Sequence, residues 1–537
     1  MPKTARAEVE VPLVDPAHAA HLAEDLGAVG GDGYRVEAVE ALLGPVAAAA
    51  LHREHALPAR RAVAAGLAGR DPLAALVGAF VLGEEVPADV LAAALPRCGL
   101  EGAAALGLLT RAPGDRVRPL LELRPYAAVD AAGEAHWWVA SDLGEMALGA
   151  GGRPGPLRTD HVLGIGGAST TLAGATVRTP VGRALDLGTG CGVQTLHLRR
   201  HTRSVVATDV SARALRVAAL TLALDDAAAG RQDGGLARAA VDLRRGSLLE
   251  PVAGETFDLV VSNPPFVITP RGAGVPAYEY RDGGLVGDAL VQQLVEGVGA
   301  ALAPGGTAQM LGNWEHRAGE PWTERVGAWL DASGLDGWVV QRDLLDPAAY
   351  AQTWVRDGGQ PDGPGADALV AAWLDDLGAR RVEAVGLGLV VLRRPHDGAR
   401  PRLRRLEELP GPVTGPLGGH VADVLAAEEA LAGLDDAALA GQRLRVAADV
   451  TEERHARPGA EHPEVVLLRQ GGGFGRVVRV GTATAGVVGA CDGELALGVL
   501  VGAVAALLEQ PADDVAHEVL PVVRHLVADG LLLLVDG

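Results

Sequence analysis

Ala184-Leu185-Asp186-Leu187-Gly188-Thr189-Gly190-Cys191-Gly192 is the stretch that decides the fold. It reads as a short apolar strand, a turn with glycine at alternate positions and the start of a helix. The next apolar run, Val205-Val206-Ala207-Thr208, ends on Asp209. A later one, Phe257-Asp258-Leu259-Val260-Val261, ends in Ser262-Asn263-Pro264-Pro265-Phe266. Two consecutive prolines remove hydrogen-bond donors and fix φ, so this strand stops there. Open α/β sheets bind ligands beyond the carboxyl ends of their strands, which makes these three strand ends parts of one expected site.

Working outward, strands are expected at Ala184–Leu187, 204–208, 257–262, 307–311, 337–341 and 384–392, with helical stretches between them. Leu215, Ala218, Ala219 and Leu222 follow the i, i+3, i+4, i+7 rule of a helix covering a sheet face. Strands alternating with helices predict an α/β fold with a parallel sheet covered on both faces.

Gly149 to Pro156 and Leu409 to Gly419 are rich in Gly and Pro, and they divide the chain into three expected domains, residues 1–150, 151–410 and 411–537. The first is helical, with Asp71 as N-cap and Pro72 at the first helical position. Its β-like runs Val117 to Arg124 and Trp137 to Ala140 suggest the wing of a winged helix. The third domain is helical from Val421 to Leu439, then strand-like at 465–468 and 476–480. It closes with a helix-helix-strand pattern (495–508, 513–529, 531–535) that also suggests a winged helix. Gly471-Gly472-Gly473-Phe474-Gly475 reads as a hairpin turn and not a phosphate loop, because no helix follows it.

The chain has 537 residues and a net charge of -21, and Lys3 is its only lysine. That balance disfavours a broad non-specific nucleic-acid surface, which needs clustered cations. Cys98, Cys191 and Cys491 are too few and too scattered for a disulfide framework or a zinc site. With no apolar run near the N-terminus and none of about 20 residues elsewhere, a cytoplasmic protein without a membrane span is expected, and no metal site.

The glycine turn after Asp186, the acid at Asp209 and the Asn263-Pro264-Pro265-Phe266 ending together resemble class I methyltransferases that use S-adenosylmethionine (SAM), over roughly Thr159 to Pro395. A dinucleotide dehydrogenase would show G-x-G-x-x-G, whereas the spacing here is G-x-G-x-G. The resemblance implies a Rossmann-like methyltransferase sheet, flanked here by the helical, winged-helix-like domains that the pattern suggests. It also implies SAM bound by Asp186, Gly188, Thr189, Gly190, Gly192, Asp209, Ser247 and Asn263. Asp209 would take the ribose hydroxyls, Asp186 would lie near the methionine end, and Ser247 stands where relatives place an adenine-holding acid.

Asn263, Pro264, Pro265 and Phe266 are then the expected catalytic set. The Asn263 side-chain oxygen and the Pro264 carbonyl would hold both N–H bonds of a planar amide or amino nitrogen, and Phe266 would stack on it. In the resembling families this ending marks N-methyltransferases acting on a protein glutamine or on an RNA or DNA base. The macromolecular acceptor stays open between these at the level of sequence. Tyr278, Tyr280 and Arg281 are either the substrate mouth or a solvated loop. The contrasting expectation is a non-catalytic SAM-binding regulatory or scaffold protein, against which the intact Asn263-Pro264-Pro265-Phe266 argues.

Overall fold

The computed structural model describes residues 14–535 except 131, 145–146, 148–156, 233–237, 273–274, 360–362, 397–398, 414 and 460–461. Residues 149–156, read above as a domain boundary, lie outside the described residues, as do the first thirteen. The chain divides into two compact units, Met1–Thr170 with Pro180–Pro401, and Thr171–Thr179 with Arg402–Gly537.

In the first unit, seven strands form one sheet: β1 (Val181–Leu187), β2 (Thr202–Asp209), β3 (Ala240–Arg245), β4 (Phe257–Ser262), β5 (Leu302–Arg317), β6 (Asp336–Leu345) and β7 (Val382–Arg393). Their order is β6-β7-β5-β4-β1-β2-β3. The central pairs β1–β2, β1–β4, β2–β3 and β4–β5 are parallel. The expectation of an all-parallel sheet is corrected by β7, which runs antiparallel to both β5 and β6. Strand β3 was not anticipated, because Ala240-Val241-Asp242-Leu243-Arg244-Arg245 lies at the sheet edge with half-exposed, mixed residues. The fold is Rossmann-like, with helices on the sheet.

Register decides where the site falls. Leu187 sits beside Thr208 on one side and Ser262 on the other, so β1, β2 and β4 end in line. The residues that follow them are the glycine turn, Asp209 and Asn263.

The N-terminal part of this unit packs against the sheet through a shared core. Leu22, Leu26, Phe80, Leu91, Trp137 and Trp138 belong to one buried cluster with Leu196, Val217, Leu220 and Leu224. The helix Ala212–Gln232, here α1, is therefore buried on two sides. That displaces the expected stripe: Ala214, Val217 and Ala218 are buried, while Leu215 and Ala219 are only half-buried. Asp71 caps Pro72–Phe80 by accepting from Leu73 N. After that helix come the strand Val86–Pro87, the helices Ala88–Ala94 and Gly99–Ala105, and the strands Leu109–Ala112 and Arg116–Pro119. The last strand lies in the middle of the three. The two β-like runs do not pair with each other as expected: the hairpin of this small sheet turns at 113–115, and Trp137–Ala140 belongs to a separate ribbon, Leu121–Asp130 against Gly133–Asp142.

The second unit has its own core, centred on Val487, Leu497, Val519, Val523 and Leu526. Helices Thr482–Gly489, Leu497–Leu507 and Ala512–Ala528 stand against a sheet in which Arg443–Val446 runs between Asp492–Ala496 and Leu532–Leu534. A second sheet pairs Val450–His455, Val465–Gln470 and Val477–Val480, and 471–476 forms the expected hairpin connection between its last two strands. Among the described residues, no helix is long and apolar enough to cross a membrane. All three cysteines are buried and free.

Candidate functional site

A cavity of about 540 Å³ opens at the carboxyl ends of β1, β2 and β4. Its lining includes Gly188, Thr189, Gly190, Asp209, Ser247, Asn263, Pro264 and Pro265, residues from four separate stretches of sequence that the register collects.

The turn after β1 is left-handed at each alternate residue: Gly188, Gly190 and Gly192 have φ of 81°, 55° and 87°. Only glycine adopts this region without cost. The backbone N–H groups of Gly188 and Thr189 both donate to Thr208 O at 2.9 Å, tying the turn to β2. A Cβ on Gly190 would meet nothing within 4 Å, so the backbone there faces open space at the cavity wall.

Asp209 ends β2 with Oδ2 accepting from Gly190 N at 2.9 Å and Oδ1 accepting from Ser211 N at 2.8 Å. Each oxygen keeps lone-pair capacity for a further donor. Burial holds this carboxyl above the usual carboxylate range, and the backbone donors oppose that shift.

Asp186 stands back from the cavity wall. It is fully buried and is not among the lining residues; its Oδ2 accepts from the hydroxyls of Thr189 (2.7 Å) and Thr195 (2.6 Å). It stands behind the turn and braces it. Its Oδ1 has no hydrogen-bond partner among the described residues. Burial pushes the Asp186 carboxyl up to about 6, against the pull of the two threonine hydroxyls.

Asn263 lines the cavity, and its side-chain Oδ1 is buried without a hydrogen-bond partner among the described residues. The Pro264 carbonyl accepts from Phe266 N at 2.7 Å, which folds the chain back sharply. Phe266 is not a lining residue; it packs against the cluster of Val267, Ile268, Tyr350 and Trp373.

Of the loop residues, Tyr280 lines the cavity, whereas Tyr278 and Arg281 are buried behind it. The loop is therefore bonded structure rather than solvated chain. His161, Ser169 and Gln293 line the cavity without having been anticipated. His161 precedes β1 in a stretch with no periodic signal, and Gln293 sits on the helix Ala289–Gly297, where nothing marks it as facing a ligand. Burial depresses the His161 imidazole, with Asp142 acting in the opposite direction.

Residues 165–326 match the family described as the methyltransferase small domain. Residues 31–120 and 425–534 match two families described only as domains of unknown function. The ribosomal protein uL3 glutamine methyltransferase of Bradyrhizobium diazoefficiens is 30% identical over 206 residues, which are 35% of this chain and 59% of that protein. The release factor glutamine methyltransferase of Moorella thermoacetica is 35% identical over 159 residues, 28% of this chain and 53% of that protein. The one from Xylella fastidiosa strain Temecula1 is 33% identical over 171 residues, 30% of this chain and 56% of that protein. The chain thus spans about half the length of the curated relatives it matches.

Such a family implies SAM, and the residues fit it. The glycine backbone offers close approach, Asp209 has acceptor capacity for a pair of hydroxyls, and the cavity falls in the range of about 300–1,000 Å³ usual for small-molecule sites. Over residues 165–326 the chain carries a methyltransferase domain.

Proposed function

We propose that the chain is a SAM-dependent N-methyltransferase whose acceptor is the side-chain amide of a protein glutamine. The observation that carries this reading is the Asn263 side-chain oxygen, buried and unpartnered on a residue that lines the same cavity as the glycine turn and Asp209. A buried polar atom without a partner costs free energy that a ligand's donor recovers.

When bound, SAM supplies an electrophilic methyl group. An amide nitrogen is a poor nucleophile because its lone pair is delocalised, so the site's task is orientation and charge stabilisation. Asn263 Oδ1 accepts one N–H of the acceptor. The Pro264 carbonyl, which spends one lone pair on Phe266 N, accepts the other with its second. Both oxygens then face the positive charge that grows on the nitrogen as it gains a methyl, and the N–H proton that the nitrogen afterwards loses passes to solvent. Asp209 takes the ribose hydroxyls, the turn at Gly188, Thr189, Gly190 and Gly192 admits the cofactor backbone, and Ser247 lies where the adenine edge falls. Asp186 acts on this site through Thr189.

The similarity to glutamine methyltransferases and the charge of -21 both favour a protein acceptor over a nucleic acid. The test is radiolabelled SAM added with the protein to an extract of cells lacking it, followed by separation of protein from RNA and DNA. Label on glutamine in a protein band supports the proposal; label confined to nucleic acid assigns a base amino group instead.

A further inference from the structure

We infer that the ring of Tyr280, held by Asp357, is the flat wall against which the acceptor nitrogen's planar group lies, the part otherwise expected of Phe266. This rests on the N-methyltransferase reading above. Tyr280 lines the cavity together with Asn263 and Pro264, and Phe266 does not. Phe266 is committed elsewhere: its side chain joins the Val267, Ile268, Tyr350 and Trp373 cluster, and it pairs with Asp282 through an isolated bridge.

The Tyr280 ring is fixed from several directions. Its hydroxyl donates to Asp357 Oδ2 at 3.1 Å, and the His161 ring meets it edge-on with centroids 5.9 Å apart. Arg281 is buried, donates to the same Asp357 oxygen at 2.9 Å and to Trp354 O at 2.7 Å, and lies 4.7 Å over the Tyr278 ring. The main chain just after Phe266 is tied to this loop, Val267 N donating to Arg281 O at 2.9 Å. Burial and the Asp357 charge both raise the Tyr280 phenol, so it stays protonated and keeps donating.

Asp357 is the last residue of the helix Pro347–Asp357, which lies between β6 and β7 and outside the segment matched by the methyltransferase family. The wall of the acceptor site is therefore supported by an element that the cofactor motifs do not predict. Asp357 and Arg281 are positioning residues, and the Tyr280 face is the contact.

The test is the initial rate of methyl transfer from radiolabelled SAM to limiting extract, using the full chain with Tyr280→Leu, Tyr280→Phe, Asp357→Asn and Phe266→Leu, each checked for a wild-type circular dichroism spectrum and for SAM affinity by calorimetry. An aromatic face predicts that Tyr280→Leu slows transfer about tenfold or more with SAM affinity intact, Tyr280→Phe by only about two- to threefold, and Asp357→Asn by an amount between them. Phe266→Leu is expected to lose less than Tyr280→Leu. A larger loss in Phe266→Leu, or equal rates for Tyr280→Leu and wild type, overturns the inference. Wild-type label in RNA would overturn the glutamine reading while leaving the wall standing if Tyr280→Leu slows it, since a base is also flat. A wild type that labels neither fraction overturns both.

Discussion

The backbone N–H of Gly190 donates to Asp209 Oδ2 across 2.9 Å, so the turn that ends β1 and the acid that ends β2 are locked to one another. The carboxylate is thereby aimed before any ligand arrives, and little is lost in ordering it on binding. Asp209→Ala is expected to weaken SAM binding by roughly 1.5–3 kcal/mol, the range for hydrogen bonds to a charged group. Calorimetric titration measures this, and an unchanged affinity would place the ribose elsewhere.

Two glycines of the same turn are expected to fail in different ways. Both Gly190→Ala and Gly192→Ala force an L-residue into the left-handed region at a cost of about 1–2 kcal/mol. A Cβ at Gly192 would sit in ordinary contact with Ala218 of α1 at 3.4 Å, whereas one at Gly190 meets no protein atom and stands in the cavity. Gly192, at φ 87°, lies further from the left-handed minimum than Gly190 at 55°, so Gly192→Ala should lower the thermal midpoint more, and Gly190→Ala should cost more SAM affinity. The reverse ranking in melting and titration experiments would contradict this placement.

The buried carboxyl of Asp186 makes stability depend on pH. Its folded value of about 6 lies above the 3.8 of an exposed aspartate, so the folded state holds the proton more tightly than the unfolded chain. Stability from this group is therefore greatest below pH 3.8, declines as the pH rises through 6 and is level above that. Such a displacement is worth on the order of 3 kcal/mol. Asp209 and Asp225 are shifted in the same direction, so the comparison must isolate Asp186. Urea unfolding of wild type and Asp186→Asn between pH 4 and 7 is expected to shift in favour of the variant by about 2–3 kcal/mol as pH rises. A pH-independent gap would show that Asp186 titrates normally.

What could be read from the chain was local. The strand Phe257–Ser262 and its arrest at Asn263-Pro264 follow from an apolar run meeting two prolines, and the glycine turn from residues that alone tolerate positive φ. The direction of β7 was not legible, because an apolar strand reads alike in either direction and its reversal is set by pairing with β5 and β6. The β-runs of the N-terminal part were mispaired because Val117 to Arg124 reads as one run, yet the chain leaves one sheet at Pro119 and enters another at Leu121. The cofactor end of the site was legible for the same local reasons. Its acceptor side was less so: which way Phe266 turns depends on Tyr350 and Trp373, more than 80 positions downstream.

The most direct measurement is methyl transfer by wild type and by Asn263→Ala, set beside the SAM affinity of each. Loss of one of the two acceptors that orient the nitrogen predicts a fall in turnover of about a hundredfold or more, as for removal of one oxyanion-hole donor, with SAM affinity essentially retained. Equal turnover by the two proteins would contradict the account, and so would a loss of activity that merely tracks a loss of SAM binding.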